Sequence, residues 1–206
     1  MVLRSVQSIA HNVGVEADAK PKSVLRATLL EASEALKENP SRAEWDAALA
    51  QRLHEVLKQY DDVKCIGFYW PVAGEFDARD VMTQWLAASK SREGALPIVV
   101  QPHAPMACHA WHSQSAMKTG RYRIPVPEEE GVVVPELLLI PCVGFDADRF
   151  RLGYGGGYYD RTLAAWPSAK KPVTIGIAYQ MGLCDALPRE TYDIPLDAII
   201  TETATY

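Results

Sequence analysis

Short apolar runs alternate along this chain with longer stretches of helical periodicity, and this alternation limits the possible folds more than any other feature. Helical periodicity covers residues 22–38, residues 41–60 behind a capping box at Ser41–Glu44, and residues 77–89 behind a cap at Asp77. The apolar runs have the length and composition of strands, and they are Val63–Trp70, Ala95–Val100, Ala107–His112, Leu137–Ile140, Val173–Ala178 and Ala198–Thr201. This order predicts an α/β fold with an open, mostly parallel sheet and helices on both faces.

The length of 206 residues fits a single domain, which we place at residues 21–206. Residues 1–20 are small and polar without a sustained period, and we expect a flexible N-terminal leader there. The Pro- and Gly-rich stretches Ile124–Gly131 and Arg151–Gly157 are predicted as connectors. No linker divides the chain.

The charge balance of 21 Lys and Arg against 26 Asp and Glu gives a net charge of −5, which argues against nucleic acid as a partner. The four cysteines form no C-x-x-C pair, and we expect reduced thiols in apolar surroundings. The sequence contains no signal peptide and no apolar run of membrane-spanning length. We therefore expect a cytoplasmic protein that acts as a monomer on small molecules and binds no membrane.

The most informative segment is the glycine-rich loop within Leu137–Ala164, where a buried strand leads to Gly153, Gly155, Gly156 and Gly157 and then to a helix that starts near Tyr158 or Tyr159. Glycines before a helix allow several backbone N–H groups to converge on one phosphate. Arg151 adds a fixed positive charge, and the Asp160 carboxylate is suited to a Mg²⁺ ion on the same phosphates. The alternative is a flexible turn whose two tyrosines pack into the core.

Charged residues elsewhere extend this interpretation. Lys22 and Arg26 are spaced i, i+4, so on a helix they lie side by side and can clamp a triphosphate, or else they form a solvated helix face. Asp193 and Asp197 precede the last strand and can complete a metal site with Asp160, or else they cap a loop.

The block FDADRFRLGYGGGYYD at residues 145–160 resembles the signature of 5-formyltetrahydrofolate cyclo-ligases, and the resemblance extends from about Lys22 to Glu202. It implies an ATP- and Mg²⁺-dependent cyclisation of 5-formyltetrahydrofolate to 5,10-methenyltetrahydrofolate, with release of ADP and phosphate. It also implies an open α/β sheet. ATP is then a co-substrate, Mg²⁺ is the cofactor, and a reduced folate is the second substrate.

The resemblance also implies roles for individual residues, with Arg151 as the residue assigned to catalysis. The implied ATP-binding residues are Lys22, Arg26, Arg151, Gly153, Gly155, Gly156, Gly157, Tyr158 and Tyr159. The implied folate-binding residues are Trp70, Glu75, Tyr122, Tyr154, Gly155 and Tyr158, with Glu75 accepting hydrogen bonds from the pterin ring. Asp160 and Asp193 are the implied metal ligands.

The chain departs from some relatives in having Tyr154 and Gly156 where those relatives carry basic residues. Two other functions stay open. One is a sugar-phosphate isomerase-like or acyl-transfer enzyme that uses the glycines for a monophosphate, and the other is a non-catalytic folate or nucleotide binder. Phosphoryl transfer depends on positioning and charge neutralisation, so we expect no covalent enzyme intermediate.

Overall fold

The computed structural model describes residues 21–129 and 131–206, so the expected leader at residues 1–20 lies outside the described part. The described residues form four α-helices, α1 (Lys22–Ala35), α2 (Arg42–Leu57), α3 (Arg79–Ala87) and α4 (Tyr158–Ala164). They also form the strands β1 (Cys65–Gly67), β2 (Glu93–Ile98), β3 (Ala107–Trp111), β4 (Met117–Thr119), β5 (Pro125–Pro127), β6 (Val132–Val133), β7 (Leu137–Pro141), β8 (Gly144–Asp146), β9 (Arg151–Leu152), β10 (Val173–Ile177), β11 (Leu183–Cys184) and β12 (Ala198–Ile200).

The main sheet has seven strands in the described part of the chain, in the order β12-β10-β7-β1-β2-β3-β6. The five strands from β12 to β2 are parallel to their neighbours, whereas β3 and β6 are antiparallel. In the centre of the sheet, Ile175 of β10 lies opposite Leu139 of β7. The predicted open and mostly parallel sheet is confirmed.

Helices cover both faces of this sheet. Side chains alternate along its central strand β7, so they pack in two apolar clusters, one on each face. Leu137 and Leu139 are buried in one apolar cluster with side chains of α2 and α3. Leu138 and Ile140 face the other way and pack in a second cluster with Leu163 of α4. Strands buried on both faces explain why the sequence has continuous apolar runs here rather than an alternating pattern. No helix formed by residues 21–129 or 131–206 is long and apolar enough to cross a membrane.

Both predicted connectors contain short strands, so that part of the prediction is wrong. β5 lies within the stretch 124–131 and pairs with β4 in an antiparallel hairpin. β9 lies at the start of the stretch 151–157 and joins β8 and β11 in a small second sheet. Strands of two or three residues rich in Pro and Gly have too little pattern to be recognised in a sequence.

The two predicted helix caps have different outcomes. Ser41 precedes α2, but its hydroxyl makes no capping hydrogen bond, and its φ of −83° and ψ of 0° are helical. The side chain of Asn39 instead accepts a hydrogen bond from the Ser41 N–H at 2.9 Å, so the predicted capping box is wrong. At α3 the N-cap residue is Ala78 rather than the predicted Asp77, and Asp77 Oδ1, one residue earlier, accepts from the Arg79 N–H at 3.0 Å.

Asp146 shapes the turn between β8 and β9 that leads into the glycine-rich loop. The residue is 1% exposed. Its Oδ1 accepts hydrogen bonds from the N–H groups of Asp148 and Phe150, each at 3.1 Å, and its Oδ2 accepts from the Leu187 N–H at 3.1 Å. One buried carboxylate therefore satisfies three backbone donors from two segments.

We expect Asp146→Ala to lower the free energy of unfolding by about 3 kcal/mol, because it leaves three backbone N–H groups without their acceptor, and that of Leu187 is buried. Urea denaturation followed by tryptophan fluorescence measures the change. Asp148→Ala is the matched control, since it removes a carboxylate that is 70% exposed from the same turn. Equal loss of stability in both variants would contradict the assigned role of Asp146.

Candidate active site

Helix α1 lies across the carboxyl end of the sheet and presents Lys22, Arg26, Leu29 and Ser33 along one face. Steps of four, three and four residues place these side chains in one row. Lys22 Nζ bonds Asp193 Oδ2 at 2.5 Å, Arg26 Nε donates to the Gly153 carbonyl at 2.7 Å, and Ser33 Oγ donates to the Ala73 carbonyl at 3.1 Å. The α1 row, Lys22 to Ser33, thus joins the loop after β1, the loop after β9 and the segment before β12.

Residues 153–157 form the glycine-rich loop between β9 and α4. Gly155 has a φ of +89° and Gly157 a φ of +63°, both in the left-handed region that favours glycine. The backbone N–H groups of residues 154–160 donate no hydrogen bond to any residue that the structure describes. Consecutive free N–H groups on a loop without bulky side chains suit an oxyanion such as phosphate.

Arg26 and Arg151 are the predicted cations that lie at this loop, whereas Lys22 pairs with Asp193 and Glu190. The guanidinium of Arg26 lies against Gly155, where an added Cβ would come within 3.2 Å of Arg26 Cζ. Arg151 lies beneath the loop with a side chain that is 5% exposed, and it donates to Asp160 Oδ1 at 2.6 Å and to the Ile194 carbonyl at 3.1 Å. The structure therefore brings positive charge to the loop from both α1 and β9.

The two predicted metal ligands lie on either side of this charge cluster, each paired with a cation. Burial opposes ionisation of Asp193, but hydrogen bonds from Lys22 and the Glu190 N–H, together with the charge of Arg151, lower its pKa below the ordinary value. Asp160 uses only Oδ1 and Asp193 only Oδ2, so each keeps one oxygen without a hydrogen bond to the described residues. No group of three potential metal ligands occurs among residues 21–129 and 131–206. This donor set fits Mg²⁺, which commonly uses one or two carboxylates together with the phosphates of its substrate.

The tyrosines of this region take different positions. Tyr159 packs against the apolar cluster under α4, and burial raises the pKa of its phenol well above the ordinary value. Tyr158 instead reaches the tip of the β4–β5 hairpin, where its hydroxyl lies 2.6 Å from that of Tyr122. Tyr122 is 62% exposed and has a φ of +58°, so this hairpin tip is held over the start of α4 by a strained residue.

A narrow cleft with a free volume of about 30 Å³ opens beside Tyr154 of the glycine-rich loop, so in this structure it is smaller than a typical small-molecule site. The polar side chains that line this cleft include Glu75 and, from the loop itself, Tyr154. Its apolar walls come from α1 and from the ends of β7 and β10, and they include Leu29, Leu36, Phe76, Cys142, Ile177 and Met181. Apolar walls with a few polar groups are typical of small-molecule sites, and this cleft must widen before a flat heterocyclic ligand can enter it.

Glu75 is held in a tight turn at the edge of this cleft. Its Oε2 accepts a hydrogen bond from the Val72 N–H at 2.7 Å, and Tyr154 donates a second one. Burial raises the pKa of Glu75 to about 7, and the two hydrogen bonds oppose that rise without cancelling it. The carboxyl group therefore changes charge within the physiological pH range.

The thiol of Cys142 also faces the cleft but is not a nucleophile at neutral pH. Burial raises its pKa to about 12, so the thiolate is scarcely populated.

Two residues singled out in the sequence lie apart from these contacts. Trp70 is not among the residues that line the cleft, and its ring packs under the Arg79 guanidinium at 4.4 Å, so its folate contact stays a prediction. Asp197 accepts hydrogen bonds from the N–H and Oγ1 of Thr174 at 2.7 and 2.8 Å, so it joins β12 to β10. The loop-capping alternative for Asp197 is the one that fits this placement.

Three residues near the turn that carries Glu75 were not predicted from the sequence: Ser33 and Arg42, which bond its carbonyls, and Tyr179, which packs against Arg42. They lie far from Glu75 along the chain, and each belongs to a helix or strand end with no motif of its own. The spacing of Ser33 from Lys22 and Arg26 on one helical face was the only available signal.

Comparisons with known proteins identify the family of this chain. Residues 18–202 match the model of the 5-formyltetrahydrofolate cyclo-ligase family. A 5-formyltetrahydrofolate cyclo-ligase of Escherichia coli is 38% identical over 101 residues, which is 47% of this chain and 55% of that protein. In that comparison the chain spans about half the length of the curated relative. The cyclo-ligase of Mycoplasma pneumoniae is 29% identical over 184 residues, which is 88% of this chain and 98% of the relative.

Solved structures give the same result. The NMR structure of 5,10-methenyltetrahydrofolate synthetase from Aquifex aeolicus superposes with a TM-score of 0.72 and 30% identity, covering 89% of this chain and 91% of that one. The synthetase structure from Mycoplasma pneumoniae gives a TM-score of 0.71 and 27% identity, covering 88% and 98%. The chain belongs to the 5-formyltetrahydrofolate cyclo-ligase family.

Proposed function

We propose that this protein binds ATP at the glycine-rich loop and 5-formyltetrahydrofolate in the adjacent cleft, and that it converts the folate to 5,10-methenyltetrahydrofolate with release of ADP and phosphate. The observation that carries the proposal is the position of Tyr154. Its backbone belongs to the loop whose free N–H groups suit a phosphate, and its side chain bonds Glu75 in the cleft. Ligands in these two places are neighbours, as direct phosphoryl transfer requires.

In this proposal the γ-phosphoryl group moves to the formyl oxygen as ADP leaves. The neighbouring amine of the folate then attacks the formyl carbon, and phosphate leaves with that oxygen. Lys22, Arg26 and the loop N–H groups bind the phosphates, and Arg151 adds charge from below the loop. Such a reaction is accelerated mainly by positioning and charge neutralisation, for which these groups are suited.

Asp160 and Asp193 are the residues that would hold Mg²⁺, together with the phosphates of ATP. The ion would supply further neutralisation of the transferred charge. Glu75, when ionised, accepts hydrogen bonds from N–H groups of the pterin ring, and the apolar walls of the cleft exclude water from the reacting atoms. We also infer a cytoplasmic monomer, which cell fractionation and size-exclusion chromatography would test.

Absorbance at the methenyl-folate band tests the reaction directly. We expect a rise after the protein is mixed with 5-formyltetrahydrofolate, ATP and Mg²⁺, and no rise when either ATP or Mg²⁺ is left out. No rise with binding detectable by calorimetry would instead indicate a non-catalytic binder. No rise and no binding would favour an enzyme that uses the loop for a monophosphate.

Lys22→Gln tests the phosphate role of α1. We expect the KM for ATP to rise at least about tenfold, because hydrogen bonds to charged groups contribute about 1.5–3 kcal/mol, and we expect the KM for the folate to change little. Lys37→Gln is the matched control, since Lys37 follows α1 but pairs with Glu34 on an exposed surface. An unchanged KM for ATP in the Lys22 variant would remove this residue from the site.

The pKa of Glu75 predicts a pH dependence of folate recognition. Because its pKa is raised to about 7, the carboxylate that accepts pterin hydrogen bonds forms only as the pH rises through that value. We expect kcat/KM for the folate to increase between about pH 6 and about pH 8 with an inflection near 7, since this ratio reports groups of the free enzyme.

The variant Glu75→Gln should lose this inflection and bind the folate less tightly at high pH. Asp80→Asn is the control, because Asp80 is an exposed carboxylate at the start of α3. A profile with the same inflection in wild type and Glu75→Gln would assign the titration to another group.

A further inference from the structure

The turn that carries Glu75 has an unfavourable backbone conformation. Ala73 and Gly74 both have positive φ values, +47° and +84°. Alanine rarely adopts this conformation, because its Cβ approaches the backbone. At Gly74 a side chain is also excluded, since an added Cβ would overlap the Ser33 carbonyl oxygen of α1. Contacts from outside the turn are therefore needed to hold it in this shape.

Arg42, at the start of α2, supplies those contacts. Its Nη1 donates to the Gly74 carbonyl at 2.9 Å and its Nη2 donates to the Glu75 carbonyl at 3.0 Å. Among the residues that the structure describes, no other group donates to these two carbonyls. The planar guanidinium thus binds two successive carbonyls at once, which a lysine ammonium cannot reproduce with the same geometry.

The guanidinium is itself fixed from two further sides. Its Nε donates to both carboxylate oxygens of Asp46, at 3.0 and 2.9 Å, and its plane lies over the Tyr179 ring at 4.6 Å. The Tyr179 hydroxyl donates to the same Asp46 carboxylate. The Arg42 side chain is 17% exposed, so this arrangement is largely removed from solvent.

We propose that Arg42 is a positioning residue that sets folate affinity by holding the backbone of Glu75 at the edge of the cleft. Arg42 acts through Glu75, since it binds the carbonyls behind the carboxylate rather than the cleft. This inference rests on the proposed function of Glu75 as a folate-binding group.

Arg42→Met and Arg42→Lys test the proposal, with Arg52→Met as the matched control. Arg52 also lies on α2 and also donates from Nε to a backbone carbonyl, that of Thr201 at 3.0 Å, which lies outside the Glu75 turn. We expect Arg42→Met to raise the KM for the folate by about tenfold or more while the KM for ATP stays unchanged. Arg42→Lys should recover part of this loss, and Arg52→Met should leave both KM values unchanged.

A second readout does not depend on turnover. Carboxyl ¹³C NMR, with Glu75→Gln used to assign the signal, follows the titration of Glu75 in each variant. In Arg42→Met we expect the pKa of Glu75 to fall from about 7 toward its ordinary value, because the released turn gives the carboxyl group access to water.

The inference would be overturned if the titration of Glu75 were unchanged in Arg42→Met. If that variant does not fold, the same measurement on Arg42→Lys decides. Equal increases of both KM values would also overturn it, because they would indicate a general structural defect. An inactive wild-type protein whose Glu75 titration still responds to Arg42 would contradict the proposed function and leave the positioning role in place.

Discussion

The α1 row is the constraint on which the site depends. Helix α1 contains no fully buried residue, so apolar burial alone does not fix its position. Its polar contacts with the loops after β1 and β9 and with the segment before β12 do so instead, over a length of about 16 Å from Lys22 to Ser33. Helix position and loop geometry are therefore coupled, and a phosphate bound by Lys22 and Arg26 would strengthen the docking of α1.

Two of the cations in the candidate site are compensated by carboxylates. The cations Lys22 and Arg151 are each paired with a carboxylate, which keeps their positive charges oriented at low desolvation cost. An incoming triphosphate would meet oriented donors but also the Asp160 and Asp193 carboxylates. Their repulsion of a phosphate is the physical reason why the proposed reaction should need a divalent cation.

Features encoded within a few residues could be predicted from the sequence, and features that depend on distant contacts could not. The helix that carries Lys22 and Arg26, the glycine-rich loop and the strand β7 all follow from local patterns. The capping box at Ser41 was wrong because Asn39, two residues earlier, competes for the same turn. Arg42 could not be assigned to the site, since the carbonyls it binds lie 32 and 33 residues further along the chain.

The family resemblance implies that some relatives carry a basic residue in the glycine-rich block, where this chain has Tyr154. A cation at this position would lie next to Glu75 and would favour its ionised form, which would lower the pKa of the carboxyl group. The neutral phenol donates a hydrogen bond instead, and the pKa of Glu75 stays near 7. In the proposed site Tyr154 therefore links the glycine-rich loop to the cleft, while burial keeps the pKa of Glu75 at about 7.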